Sequence, residues 1–91
     1  MSEREFELEI TNEKGLHARA AAKFVETVER FDAAAVVCRD GMVVSGDSIM
    51  GLLMLGAAIG EIIEIRTSGA ESDALADAIT ALVADKFGEG K

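Results

Sequence analysis

A chain of 91 residues, 49% hydrophobic and 29% charged, has enough apolar surface for one packed core, which excludes both a disordered tail and a large multidomain enzyme. Seventeen acidic against nine basic residues give a net charge of -8, which repels phosphate backbones and anionic lipid and argues against nucleic acid and membrane surfaces as partners. With four Phe and neither Tyr nor Trp, the chain also lacks the stacking platforms of single-strand binders.

Glu5-Phe6-Glu7-Leu8-Glu9-Ile10 alternates without exception, which predicts a strand with Phe6, Leu8 and Ile10 on a buried face and three glutamates on a wet one. A turn over Asn12 to Gly15 leads into Leu16, Ala20, Phe24, Val28 and Phe31, spaced for a helix from His17 to Arg30. Ala34 to Arg39 and Met42 to Val44 flank Asp40-Gly41, the strongest short signal for a hairpin. After a turn at Ser45-Gly46-Asp47, Asp47 or Ser48 can cap a short helix from Ile49 to Leu55, and Gly56 can end it. Glu61 to Arg66 reads as a fourth strand, with Ile63 and Ile65 inward and Glu64 and Arg66 outward. Leu75, Ile79, Leu82 and Val83 mark a third helix from Ser72 to Phe87, stopping at Gly88 and leaving residues 88–91 as a frayed tail. The order βαββαβα predicts a single α+β domain over residues 1–91, a two-layer sandwich with helices on the apolar face and strand order left open.

The only cysteine, Cys38, cannot form an intramolecular disulfide, and Met1-Ser2-Glu3-Arg4-Glu5 lacks the basic and apolar regions of a secretory leader. No stretch approaches the roughly 20 apolar residues needed to span a bilayer, so the cytoplasm is the expected setting. Cys38 has no nearby histidine and is expected as a buried structural thiol, and no spacing suggests a metal site.

The only histidine, His17, stands at the start of the first helix, where Ser, Thr, Asp or Asn would normally cap. The amides of Ala18 and Arg19 are then free and carry the positive end of the helix dipole, which suits an anion. Arg19 and Lys23 add positive charge there. These features fit a neutral imidazole that accepts a phosphoryl group, and they also fit a surface histidine that happens to begin a helix. In the second helix, Ile49, Met50, Leu52, Leu53, Met54 and Leu55 surround nearly the whole cylinder. Either that helix is enclosed, or some of Ile49, Met50, Leu53 and Met54 form an adaptable apolar patch for docking proteins.

Gly15-Leu16-His17-Ala18-Arg19-Ala20-Ala21-Ala22-Lys23-Phe24-Val25 resembles the active-site segment of the HPr family, the histidine phosphocarriers of the bacterial phosphotransferase system. Asp47-Ser48-Ile49-Met50-Gly51-Leu52-Leu53-Met54-Leu55-Gly56 resembles that family's segment around its regulatory serine, and Gly60-Glu61 through Gly69-Ala70 the stretch that follows. The resemblance implies that His17 accepts phosphate on Nδ1 from phosphorylated enzyme I and passes it to IIA components. It implies that Arg19 contacts the phosphate, that the Ala18 and Arg19 amides receive it, and that no cofactor is needed beyond the transient phosphoryl group. It further implies a monomeric carrier rather than an enzyme, built as an open-faced sandwich of four antiparallel strands covered on one face by three helices. Partner docking would fall on Ala20, Lys23, Ile49, Met50, Leu53 and Met54, and Ser48 would take regulatory phosphate from a serine kinase, besides any capping role. The family usually has proline where Ala20 stands, which leaves open whether sugar uptake or a nitrogen-type regulatory relay is served. Asp47-Ser48-Ile49 also resembles the opening of the acyl carrier proteins' helix, with phosphopantetheine on Ser48, but that all-helical family leaves the strand-like segments and His17 unexplained.

Overall fold

Strands and helices alternate in the predicted order: β1 (Ser2–Glu9), α1 (Ala18–Glu29), β2 (Ala34–Arg39), β3 (Met42–Ser45), α2 (Ile49–Leu55), β4 (Ile62–Gly69) and α3 (Ser72–Ala84), followed by a 3-10 turn over Lys86–Gly88. The computed structural model describes residues 2–91, Ser2 by its backbone alone; Met1, the first residue of the acidic stretch Met1 to Glu5, lies outside them. The strands form one antiparallel sheet in the order β1-β4-β2-β3. This sheet excludes the all-helical bundle on which the acyl-carrier alternative depends.

Alternation decides which face is covered. Ile63, Ile65 and Thr67 of β4 are buried with Ala35 and Val37 of β2, while Glu64 and Arg66 stand exposed on the opposite face. All the helices lie on the apolar side: α3 against β1 and β4, α2 against β3, and α1 against both of the other helices. Phe24, Leu52, Leu75 and Ile79 from these helices close the core over Ile63 and Ile65. The hairpin between β2 and β3 turns on Asp40 and Gly41 with φ of 49° and 83°, the two positive values that a two-residue turn of this hand requires. On the wet face Glu5 stands opposite Arg66 at 3.3 Å, whereas Glu7 stands directly opposite Glu64; like charges so placed blunt an exposed edge strand at some expense of stability.

Four expectations change. The third helix ends at Ala84, not Phe87, because Lys86 and Phe87 both adopt φ of 55° and redirect the chain so that Phe87 drops into the core. The expected frayed tail is instead tied back: the Glu13 amide donates to the Lys91 carbonyl at 2.9 Å, and Glu89 bonds to Asn12 at 3.0 Å. Cys38 is half-buried rather than buried, because the register that turns Val37 inward turns Cys38 to the glutamate face, beside Glu64. Ala20 is fully buried on the inner side of α1 and so offers no side chain to a docking protein.

Candidate functional site

The approach to α1 is built by close backbone contact. Gly15 sits at φ 65°, and a Cβ there would meet the Ala57 carbonyl oxygen at 2.5 Å; only glycine accommodates both the angle and the approach. The next amide, Leu16, donates to that same carbonyl at 2.9 Å while its side chain is buried. The loop carrying Ala57 is braced in turn. Arg39 donates to the Leu55 carbonyl at 3.0 Å and contacts the Glu61 carboxylate, and Glu61 accepts from the Ala58 amide at 2.6 Å.

His17 follows as the N-cap of α1, extended at φ -78° and ψ -179°, with no side chain capping the helix. The first helical bond runs from the Ala21 amide to the His17 carbonyl at 2.8 Å, so the Ala18 and Arg19 amides have no acceptor among the described residues. The His17 side chain is 28% exposed, and its Nε2 contacts Glu89 Oε2. An ionised carboxylate only accepts, so Nε2 carries the hydrogen and donates it, which leaves the lone pair of a neutral ring on Nδ1. Asn12, fully buried, donates from Nδ2 to the other Glu89 oxygen at 3.0 Å and to the Gly15 carbonyl at 2.8 Å. Burial pushes the Glu89 carboxyl up, but the hydrogen bonds from His17 and Asn12 and the attraction of His17 and Lys14 outweigh it and hold the group below the ordinary carboxylate range.

The other predicted residues separate into those near this centre and those spread over α2. Arg19 is exposed and makes no hydrogen bond or ion pair with the described residues, so its guanidinium is available to an anion. Lys23 is engaged, donating to the Phe87 carbonyl at 2.6 Å, and thereby fastens the tail that carries Glu89. Ser48 caps α2, its Oγ accepting from the Gly51 amide at 3.0 Å. Leu52 and Leu55 of α2 are buried, while Met50 and Met54 are 70% and 67% exposed and Ile49 and Leu53 are also exposed. Of the two readings of α2, the structure takes the one with an open apolar face. Sequence reasoning missed Glu89 and Asn12. Glu89 carries no local signal, since its contact to His17 spans 72 residues of chain, and Asn12 joins the site through a bond to Glu89 that spans 77.

No helix among the described residues is long and apolar enough to cross a membrane, and no group of His, Cys, Asp and Glu there could hold a metal ion. Residues 4–85 match the family described as "PTS HPr component phosphorylation site". The chain is 45% identical over 84 residues to the phosphocarrier protein HPr of Neisseria meningitidis serogroup A, covering 92% of this chain and 94% of the relative. It is 40% identical over 89 residues to the phosphocarrier protein NPr of Shewanella violacea, covering 98% of each. The crystal structure of HPr from Thermoanaerobacter tengcongensis superposes with a TM-score of 0.90 at 37% identity, over 94% of this chain and 97% of that one. The chain with the uncapped histidine at the start of α1 therefore belongs to the HPr and NPr family of phosphocarrier proteins of the phosphotransferase system.

Proposed function

We propose that His17 is the phosphoryl acceptor, taking phosphate on Nδ1 from phosphorylated enzyme I and handing it to IIA components, as a monomeric cytoplasmic carrier and not an enzyme. The observation that carries this reading is the partly exposed imidazole whose Nε2 is occupied by Glu89, set beside two helix amides without acceptors. Nδ1 supplies the electron pair for the new N–P bond. The Ala18 and Arg19 amides and the Arg19 guanidinium receive the phosphoryl oxygens, at the positive end of the α1 dipole. The loop anchored by Gly15 and Leu16 holds the ring in place, so the group need not be ordered at the moment of transfer.

The exposed face of α2, with Ile49, Met50, Leu53 and Met54, serves as the docking surface for both partners in this reading. Its two methionines are unbranched and polarizable, which suits a surface that meets more than one protein. Ser48 is the modification site at the entrance to that helix. Incubation with phosphoenolpyruvate and the cognate enzyme I should add one phosphoryl group to the intact mass, and subsequent addition of a cognate IIA should remove it. A chain whose mass is unchanged by enzyme I, or is increased by a phosphopantetheinyl transferase with coenzyme A, does not work this way.

A further inference from the structure

Glu89 reaches His17 from the far end of the chain with the orientation of its carboxylate already settled. Asn12 Nδ2 donates to one oxygen at 3.0 Å and to the Gly15 carbonyl at 2.8 Å. Exchanging the amide oxygen and nitrogen of Asn12 would set oxygen against oxygen at both contacts, so its donor must face Glu89. The second carboxylate oxygen is then left for His17 Nε2. The segment that delivers it is anchored by the buried Phe87 ring, by Lys23 on the Phe87 carbonyl at 2.6 Å, and by the Glu13 amide on the Lys91 carbonyl at 2.9 Å.

We propose that Glu89 is a positioning residue for phosphoryl acceptance: it holds the His17 ring in the Nε2–H form and so keeps the lone pair on Nδ1. The inference rests on the phosphocarrier reading of His17 and deepens it. In the step itself, the Nδ1 pair forms the N–P bond, the bond between phosphorus and the donor's leaving atom breaks, and that atom keeps its electron pair. No proton moves on the ring. The Nε2 hydrogen stays in place, the substituted ring becomes cationic, and the Glu89 carboxylate compensates that charge as it would for any imidazolium it orients. Discharge to an acceptor runs the same sequence backwards and returns the ring to its neutral form.

Glu89→Gln keeps the shape and reverses the logic. Asn12 requires an acceptor, so the oxygen of the substituted amide turns to it and the amide nitrogen turns to His17. Nε2 must then accept, and the ring hydrogen moves to Nδ1, where it blocks attack. The test reads the ring tautomer by nitrogen-15 NMR of the full chain, at a pH where the ring is neutral, alongside the initial rate of phosphorylation by enzyme I. Wild type should show hydrogen on Nε2 and Glu89→Gln hydrogen on Nδ1, with the rate lowered by roughly 10- to 100-fold in the variant. Glu89→Ala should populate both forms and lose less. Adding Asn12→Ala to Glu89→Gln frees the amide to flip, and should return hydrogen to Nε2 together with part of the rate. Unchanged amide fingerprint spectra establish that each variant folds. Nε2–H retained in Glu89→Gln with normal phosphate uptake overturns this inference alone; a wild-type chain that takes up no phosphate overturns the phosphocarrier reading with it.

Discussion

The Leu16 amide donates to the Ala57 carbonyl at 2.9 Å, joining the residue before His17 to the loop that leaves α2. A backbone hydrogen bond thus ties the start of the helix that would receive phosphate to the loop that follows the helix that would meet its partners. Arg39 of β2 and Glu61, just before β4, brace the same loop through the Leu55 carbonyl and the Ala58 amide. The residue before His17 is held by the loop after α2, and the tail reaches the ring itself through Glu89.

Gly15→Ala tests that junction. The added methyl would stand 2.5 Å from the Ala57 oxygen, at a φ of 65°. We expect a loss of about 1–3 kcal/mol in denaturant unfolding, together with slower phosphorylation, since the loop must move away from Ala57. Wild-type stability in this variant would show that the close approach does not constrain the loop.

The α2 face separates docking from packing. Met50 is 70% exposed, whereas Leu52, on the inner side of the same helix, is fully buried. Met50→Glu should change stability by no more than ~0.5 kcal/mol and weaken enzyme I binding in titration calorimetry, as should Leu53→Glu. Leu52→Ala should instead cost about 2–5 kcal/mol through the cavity it leaves. A large stability loss in Met50→Glu, or undiminished binding, removes Met50 from the docking surface.

Ser48 has a structural role that any regulatory role must share. Its Oγ accepts from the Gly51 amide at 3.0 Å, so Ser48→Ala should cost about 0.5–2 kcal/mol, whereas Ser48→Asp retains an acceptor and a favourable charge at the helix start. Placed at the edge of the docking face, that charge should slow His17 phosphorylation at sub-saturating enzyme I, by raising the desolvation cost of docking. Equal initial rates for the two variants would leave Ser48 as a helix cap only.

The Glu89 contact carries a pH signature. The carboxyl is held below its ordinary value in the folded chain, so it contributes stability that is fully present above the ordinary carboxylate range and is lost as pH falls through the lower, folded value. The groups that face it are His17, Asn12 and Lys14. Carbon-13 titration of the Glu89 side chain should give a midpoint below that of glutamate in an unstructured peptide, with the Asn12 side-chain amide resonances moving over the same window. A midpoint at or above the peptide value would mean that the carboxylate does not hold His17.

Much of this molecule is legible in its sequence, because the informative signals are local. Alternation from Glu5 to Ile10 orients β1, Asp40-Gly41 marks the hairpin, and the uncapped His17 and the capping Ser48 declare themselves within a few residues. The order β1-β4-β2-β3 is not local, and periodicity carries no record of which strands pair. The tail misleads for a related reason. Leu82, Val83 and Phe87 keep helical spacing, yet the backbone leaves the helix at Asp85 so that Phe87 can fill the core, and this turn is what delivers Glu89 to His17. Ala20 is the opposite case: its place on the helical stripe with Phe24 and Val28, legible in the sequence, decides its burial, against the docking role that the resemblance implies.

The central claim is most directly tested by phosphorylating wild type and His17→Ala with labelled phosphoenolpyruvate and enzyme I, and then exposing the product to acid and to base. His17 packs at the start of a helix and is not part of the buried core, so the variant should fold and melt close to wild type. Wild type should take up label in an acid-labile, base-stable linkage, as a phosphoramidate does; His17→Ala should take up none, and Arg19→Ala should take it up more slowly without losing it. Label retained at the wild-type level in a folded His17→Ala chain would contradict the account.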